Sequence, residues 1–181
     1  MANKYKRRGD DAEREGVAVL RELAADLLVP GAGREFGAGR ALDVGDLKVF
    51  VDVAVQVRRN PRIREALRTS AADAVTQARN REVPLALGMV PVIGARRASV
   101  RWLAACLTWP VPLDPADIPV VGNHTAAVTL VRREAPAARP RHQRIALVRR
   151  HGCPDVFVAS LEAWLDAYRS TRAARPAPEP V

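Results

Sequence analysis

The sequence predicts an α/β domain in which a central mixed β-sheet is flanked by helices. Three observations carry this. Valine occupies every odd position from Val49 to Val57, while Lys48, Phe50, Asp52, Ala54, Gln56 and Arg58 fill the even ones, which is the two-residue period of a strand. Apolar residues then recur at helical spacing from Pro61 to Arg79, and a second apolar strand spans Val83 to Ile93. A helix joining two apolar strands implies a crossover and a sheet covered by helices.

Taken in order, residues 2–9 read as a basic arm, and a helix is expected from Asp10 to Leu28, with Val17, Leu20, Ala24 and Leu27 as its core stripe. Glu13 lies one turn before Val17 on that stripe. Asp10 and Glu13 also have the spacing of an N-cap and its capping-box partner. Residues 30–42 hold four glycines, with Arg34, Glu35 and Arg40 between them, and are expected to form a mobile basic loop leading into Asp43 and Asp46. Between Asp46 and Gln56 no Gly, Pro or Asn supplies a turn. The stretch therefore reads either as one long bent strand or as a hairpin turning near Phe50–Asp52, and in both cases with Gln56 and Arg58 on a half-exposed polar face. Asn60 and Pro61 suit the start of the next helix.

Ser99 to Trp109 reads equally as strand or short helix. Pro110 to Ile118 reads as loop, Ala126 to Arg132 as a strand, and residues 135–141 as loop. Arg144 to Arg149 and Val156 to Val158 read as further strands. Ser160 caps a helix ending near Tyr168, and residues 172–181 form a tail of disordered composition. The expected organisation is one domain over residues 1–171, with 94–141 an elaboration.

The chain has 181 residues, with 29 Lys+Arg against 20 Asp+Glu and a net charge of +9. A balance of this kind favours a polyanionic partner, most often nucleic acid. No apolar run reaches the length of a membrane span, and the charged N-terminus lacks a signal-peptide core. The expectation is a cytoplasmic, nucleoid-associated protein with Cys106 and Cys153 reduced. His124, His142, His151 and Cys153 do not have the spacing of a zinc site, and no Gly-x-Ser-x-Gly or Cys/His nucleophile arrangement occurs.

Two motifs line up: Gly9, then Ala12-Glu13-Arg14-Glu15 opening a helix, and Asp46 followed by Gln56-x-Arg58. Over about residues 4–93 this resembles the PD-(D/E)xK nuclease superfamily, most closely its archaeal-type and phage Holliday junction resolvases. Their first helix carries Ala-Glu-Arg-Glu, an Asp opens their hairpin, and Glu-x-Lys follows on the next strand. Asp155-Val156-Phe157-Val158 and the helix after it resemble the end of phage members.

The resemblance implies a restriction-endonuclease-like fold. It also implies a homodimeric, metal-dependent endonuclease that hydrolyses phosphodiester bonds in branched DNA, in recombination and repair, using Mg²⁺ or Mn²⁺. Glu13, Asp46 and Gln56 would hold the metal, Arg58 would contact the scissile phosphate, and Arg7, Arg8, Arg34, Arg40 and Arg59 would bind backbone phosphates. Gln56 stands where the family has an acid and keeps only an uncharged oxygen ligand. Arg58 stands where it has Lys and is a poor base. These two residues favour an alternative, a non-catalytic DNA-binding module on the same scaffold. A third reading is an interaction protein with incidental basic charge.

Overall fold

In the computed structural model, residues 2–35, 45–93, 100–132 and 145–173 are described. The elements are α1 (Ala2–Leu23), β1 (Gly33–Arg34), β2 (Leu47–Lys48), β3 (Val53–Val57), α2 (Ile63–Asn80) and β4 (Leu85–Pro91). They continue with β5 (Trp102–Cys106), β6 (Val120–Val121), α3 (His124–Arg132), β7 (Ile145–Val148), β8 (Val156–Ser160) and α4 (Leu161–Ala173). The strands form one eight-stranded mixed sheet in the order β1-β2-β3-β4-β5-β8-β7-β6. The fold is thus α/β with a central mixed sheet flanked by helices. The crossover is present: β3 and β4 are parallel, with Val55 opposite Leu87 and Val57 opposite Met89, and α2 joins them. Among the described residues no helix is long and apolar enough to cross a membrane.

The two faces have separate cores. Val17 and Leu20 of α1 and Trp164, Leu165 and Tyr168 of α4 pack with Leu47, Val53, Val55 and Val57 on one face. Ala66, Leu67 and Ala71 of α2 and Ala127, Val128 and Val131 of α3 pack with Val90, Leu103 and Val158 on the other. Covering both faces buries every residue of β3. Its even side is therefore not half-exposed: Gln56 is only 5% exposed.

The valine stretch is a hairpin. β2 and β3 run antiparallel with Leu47 opposite Val55, and the chain reverses through residues 49–52, where Val51 alone is open to solvent. Turn-forming residues are absent because the reversal is held from outside. Phe50 packs against Tyr168 with ring centroids 5.1 Å apart, and the Tyr168 hydroxyl donates to the buried Asp52 carboxylate. The backbone joins in: the Asp52 carbonyl accepts from Leu85 N at 3.2 Å.

Several local expectations are corrected. Helix α1 begins at Ala2, so the basic arm is its first turns. Asp10 and Glu13 lie well inside the helix and form no capping box. Gly33 and Arg34, expected in a loop, form β1 against β2; residues 36–42 of that loop lie outside the described residues. Residues 126–132 belong to helix α3 rather than a strand. Asn123 caps it, its Oδ1 accepting from Ala126 N at 2.9 Å, and Ala127, Val128 and Val131 meet the sheet at helical spacing. β5 lies mid-sheet between β4 and β8, so residues 102–106 of the segment 94–141 are part of the central sheet. Helix α4, capped by the Ser160 hydroxyl on Ala163 N at 3.2 Å, runs to Ala173 and takes in the first residues expected in the tail.

Close packing of α2 on β4 depends on Gly88. A Cβ there would lie 2.5 Å from Ser70 Oγ and 2.8 Å from the Ser70 carbonyl carbon. Glycine alone permits that approach, and it fixes how far α2 stands from the sheet.

Candidate nuclease-like site

The residues singled out from the sequence gather around the C-terminal end of β3, where β1, β2, α1 and α2 meet it. Arg34 of β1 reaches α1, donating from Nε to Glu13 at 2.6 Å and from a terminal nitrogen to Asp10 at 2.7 Å. Asp10 and Glu13 are one turn apart and share a helix face, so a single guanidinium bridges both. Partial burial disfavours the charge on Arg34, but the Glu13 and Asp10 carboxylates outweigh it and raise its pKa. Its neighbour Glu35 donates its backbone N–H to the Asp46 carbonyl at 2.8 Å.

Asp46 sits where β2 begins, after Gly45, whose φ of +108° lies in the left-handed region. Its Oδ2 accepts from Val57 N at 2.8 Å, and its own N–H donates to the Val55 carbonyl at 3.0 Å. A carboxylate thus takes over the ladder hydrogen bond at the end of β3. A Cβ on Gly45 would lie 3.1 Å from the Val55 carbonyl oxygen and 3.3 Å from Gln77 Oε1, which keeps this approach to β3 and α2 open only to glycine.

Gln56 faces α2, where its Oε1 accepts from Gln77 Nε2. Arg58, two residues on, is paired with Asp73, one turn earlier on α2. Arg59 reaches back to α1 and donates to Glu15 at 3.1 Å. Contacts through Arg34–Glu13, Glu35–Asp46, Asp46–Val57 and Arg59–Glu15 therefore close a ring around the strand end.

The ring has two sides. Val57 and Leu47 point toward α1; a Cβ on Gly16 of that helix would lie 3.5 Å from each. Glu13 approaches from this side. Gln56 points to the α2 side, and Asp46 stands at the strand edge between them. Extending the β2–β3 register by one residue sets Asp46 opposite Gln56. Asp73 and Gln77 were not singled out in the sequence. Their signal is the i, i+4 polar pair beside the apolar stripe of Ala66, Leu67, Ala71, Ala74 and Ala78.

Among the remaining expected phosphate contacts, Arg7 and Arg8 lie in the backbone of α1, and Arg40 lies outside the described residues, as does Asp43. Among the described residues no group of three or more His, Cys, Asp or Glu side chains is placed to hold a metal ion. The donor chemistry nonetheless suits a hard cation, which takes oxygen ligands: Asp46 and Gln56 both carry oxygen donors and stand opposite one another when the β2–β3 register is extended. Glu13 is held by Arg34 on the α1 side of the strand, and would have to leave that guanidinium and that side to join them. Neither cysteine offers a nucleophile at this site: Cys106 is buried, with its thiol pushed up to about 12 by burial, and Cys153 is an exposed thiol in the turn between β7 and β8.

No family model matches the chain, and neither a curated protein nor a solved structure matches it.

Proposed function

We propose that the protein is a structure-selective DNA endonuclease that hydrolyses phosphodiester bonds in branched DNA, with its active site at the C-terminal end of β3. The observation that carries this reading is the ring of contacts that draws Glu13, Asp46, Gln56 and Arg58 to one strand end, on a frame of helix, antiparallel hairpin, helix and parallel strand. The resemblance implies that same order of residues and elements. The excess of basic residues gives such a protein a long-range attraction to DNA.

Asp46 and Gln56 would hold a divalent cation, Mg²⁺ or Mn²⁺, with Glu13 as a third ligand. When bound, such a cation neutralises charge on the scissile phosphate and lowers the pKa of a water. The chain's own residues do the rest. Asp46 is fixed by its two hydrogen bonds to β3 and needs no reorganisation. Arg58 contributes a guanidinium to the phosphate once it leaves Asp73, and Arg34 does the same once it leaves Asp10 and Glu13. DNA phosphate would thus compete with carboxylates for two arginines, exchanging internal ion pairs for intermolecular ones. Arg59, paired with Glu15 at an exposed position, is placed to contact the flanking backbone. A homodimer would present two such sites for symmetric cutting, and a DNA-bound protein of this kind would associate with the nucleoid.

A second reading, a non-catalytic DNA-binding module, is favoured by one observation: Gln56 and Arg58 are both engaged by α2, and neither is the acid or the lysine of the family pattern.

The deciding experiment mixes the protein with a labelled four-way junction or a matched linear duplex, in Mg²⁺, Mn²⁺ or EDTA, beside Asp46→Ala. Metal-dependent cuts near the branch point that vanish in Asp46→Ala are the expected outcome. Junction binding without cuts would replace the enzyme with the binding module. Absence of both binding and cutting, or an affinity flat in salt, would sink the nucleic-acid reading altogether.

A further inference from the structure

A cavity of about 750 Å³ opens between the first turns of α2 and α3, away from the residues considered so far. Its wall carries Arg62 just before α2, Arg64 and Arg68 within it, Arg150 just after β7, and His124 at the start of α3. Glu65 is the one carboxylate on this wall, and it lies 3.9 Å from Arg62. Among the described residues Arg64, Arg68 and Arg150 have no ion-pair partner, in contrast to Arg34, Arg58 and Arg59. Two helix N-termini end at the same cavity, and each carries a partial positive charge there.

His124 supplies an independent observation. It is only 6% exposed, and its Nε2 is buried without a hydrogen-bond partner among the described residues. A buried polar atom without a partner is costly, and this one belongs to a side chain on the cavity wall. Burial holds the imidazole below its ordinary pKa, and Arg150, Arg68 and Arg64 push the same way. The same three arginines share the cavity wall with the ring. An oxyanion in the cavity would answer the first two features together: it would accept from the guanidinium groups and lie on the helix ends, beside the His124 ring.

We infer that this cavity is a phosphate-binding site, formed by Arg64, Arg68, His124 and Arg150 and independent of the proposed nuclease site. Two sources carry the same chemistry, a phosphodiester of bound DNA and a free phosphate or phosphorylated small molecule. The site shares no side chain with the ring at β3, so each can fail without the other.

The test uses the full chain and inorganic phosphate, read by the ring resonances of His124 and by titration calorimetry, with chloride at equal ionic strength as the control. Phosphate is expected to shift the His124 ring saturably. Arg68→Gln combined with Arg150→Gln is expected to weaken binding at least tenfold, while Arg79→Gln, the same kind of substitution further along α2, leaves it unaltered. A junction or duplex that displaces phosphate identifies the DNA backbone as the source. DNA that leaves the His124 ring unshifted identifies a free phosphate group. The inference is overturned if neither phosphate nor DNA moves the His124 ring, if chloride reproduces the shift, or if Arg79→Gln weakens binding as much as the double variant.

Discussion

The two ends of α2 treat charge in opposite ways. Toward its C-terminal half, at the end of β3, arginine is answered by carboxylate: Arg58 by Asp73, Arg59 by Glu15, and Arg34 by Asp10 and Glu13 together. At its first turns, Arg64 and Arg68 stand with Arg150 around a cavity on which Glu65 is the one acid. The first arrangement holds the hairpin, α1 and α2 in register and must be opened before an outside phosphate can enter. The second contributes little to the fold and keeps its positive charge available. Paired charge of the first kind is better evidence of local order than of affinity for a ligand. Unpaired charge beside a buried orphan nitrogen is the better sign of a ligand.

The change with the largest expected effect removes the comparison itself, because both regions hang on α2. Gly88→Ala sets a Cβ 2.8 Å from the Ser70 backbone, a clash that no rotamer relieves. Overpacking of this kind costs about 1–3 kcal/mol, and α2 should shift away from β4. We expect a lower denaturation midpoint and weakened function at both sites, junction cleavage and phosphate binding alike. Wild-type stability in Gly88→Ala would mean that the close contact of α2 with β4 does not set the position of the helix.

Arg34→Gln separates the two regions. It takes the shared guanidinium from Asp10 and Glu13, which are partly buried, and leaves two like charges one turn apart. The expected cost is about 1–2 kcal/mol, together with weaker junction binding. Phosphate binding at the α2–α3 cavity should be unchanged. Equal loss at both sites would show that the ring at β3 and the cavity are coupled, against the independence argued for them.

The parts of this design that were legible in the sequence are those that repeat along the chain. The valine alternation, the helical period after Pro61 and the apolar run from Val83 gave the crossover, because a strand or helix buried on one face must write that face into its spacing. The hairpin turn was not legible, because Tyr168 and Phe50 hold it from across the molecule, and no local turn residue is needed. The role of Glu13 was half legible. Its place on an inward helix face marked it as unusual, but its partner Arg34 lies 21 residues on and its true helix starts eight residues earlier than its cap-like neighbour Asp10 suggests. Gln77 and Asp73 carry no motif of their own, and their meaning comes only from facing β3. In the sequence His124 lacks zinc-site spacing with His142, His151 and Cys153, and nothing else there marks it. Its company in the fold is arginine, drawn from two stretches of chain far apart in sequence.

His124 also gives the smallest and most discriminating test of the contrast. Its folded pKa lies below the ordinary 6.5, so as pH falls through that value the unfolded chain takes up a proton that the folded chain refuses. Stability should therefore be untouched by this group above about pH 6.5, decline as pH drops below it, and level off once folded His124 is protonated too. The charged groups that share the cavity wall with it are Arg64, Glu65 and Arg68 from α2, Arg62 just before that helix and Arg150 just after β7. Denaturation midpoints at pH 7.5 and 5.5 should thus differ more for the wild type than for His124→Gln, which cannot titrate. Saturating phosphate should shrink the wild-type difference, since a bound anion favours the imidazolium and raises its pKa. An equal pH difference in both proteins would mean that the ring does not feel the arginines, and the unpaired charge at this end of α2 would then be an ordinary solvated surface.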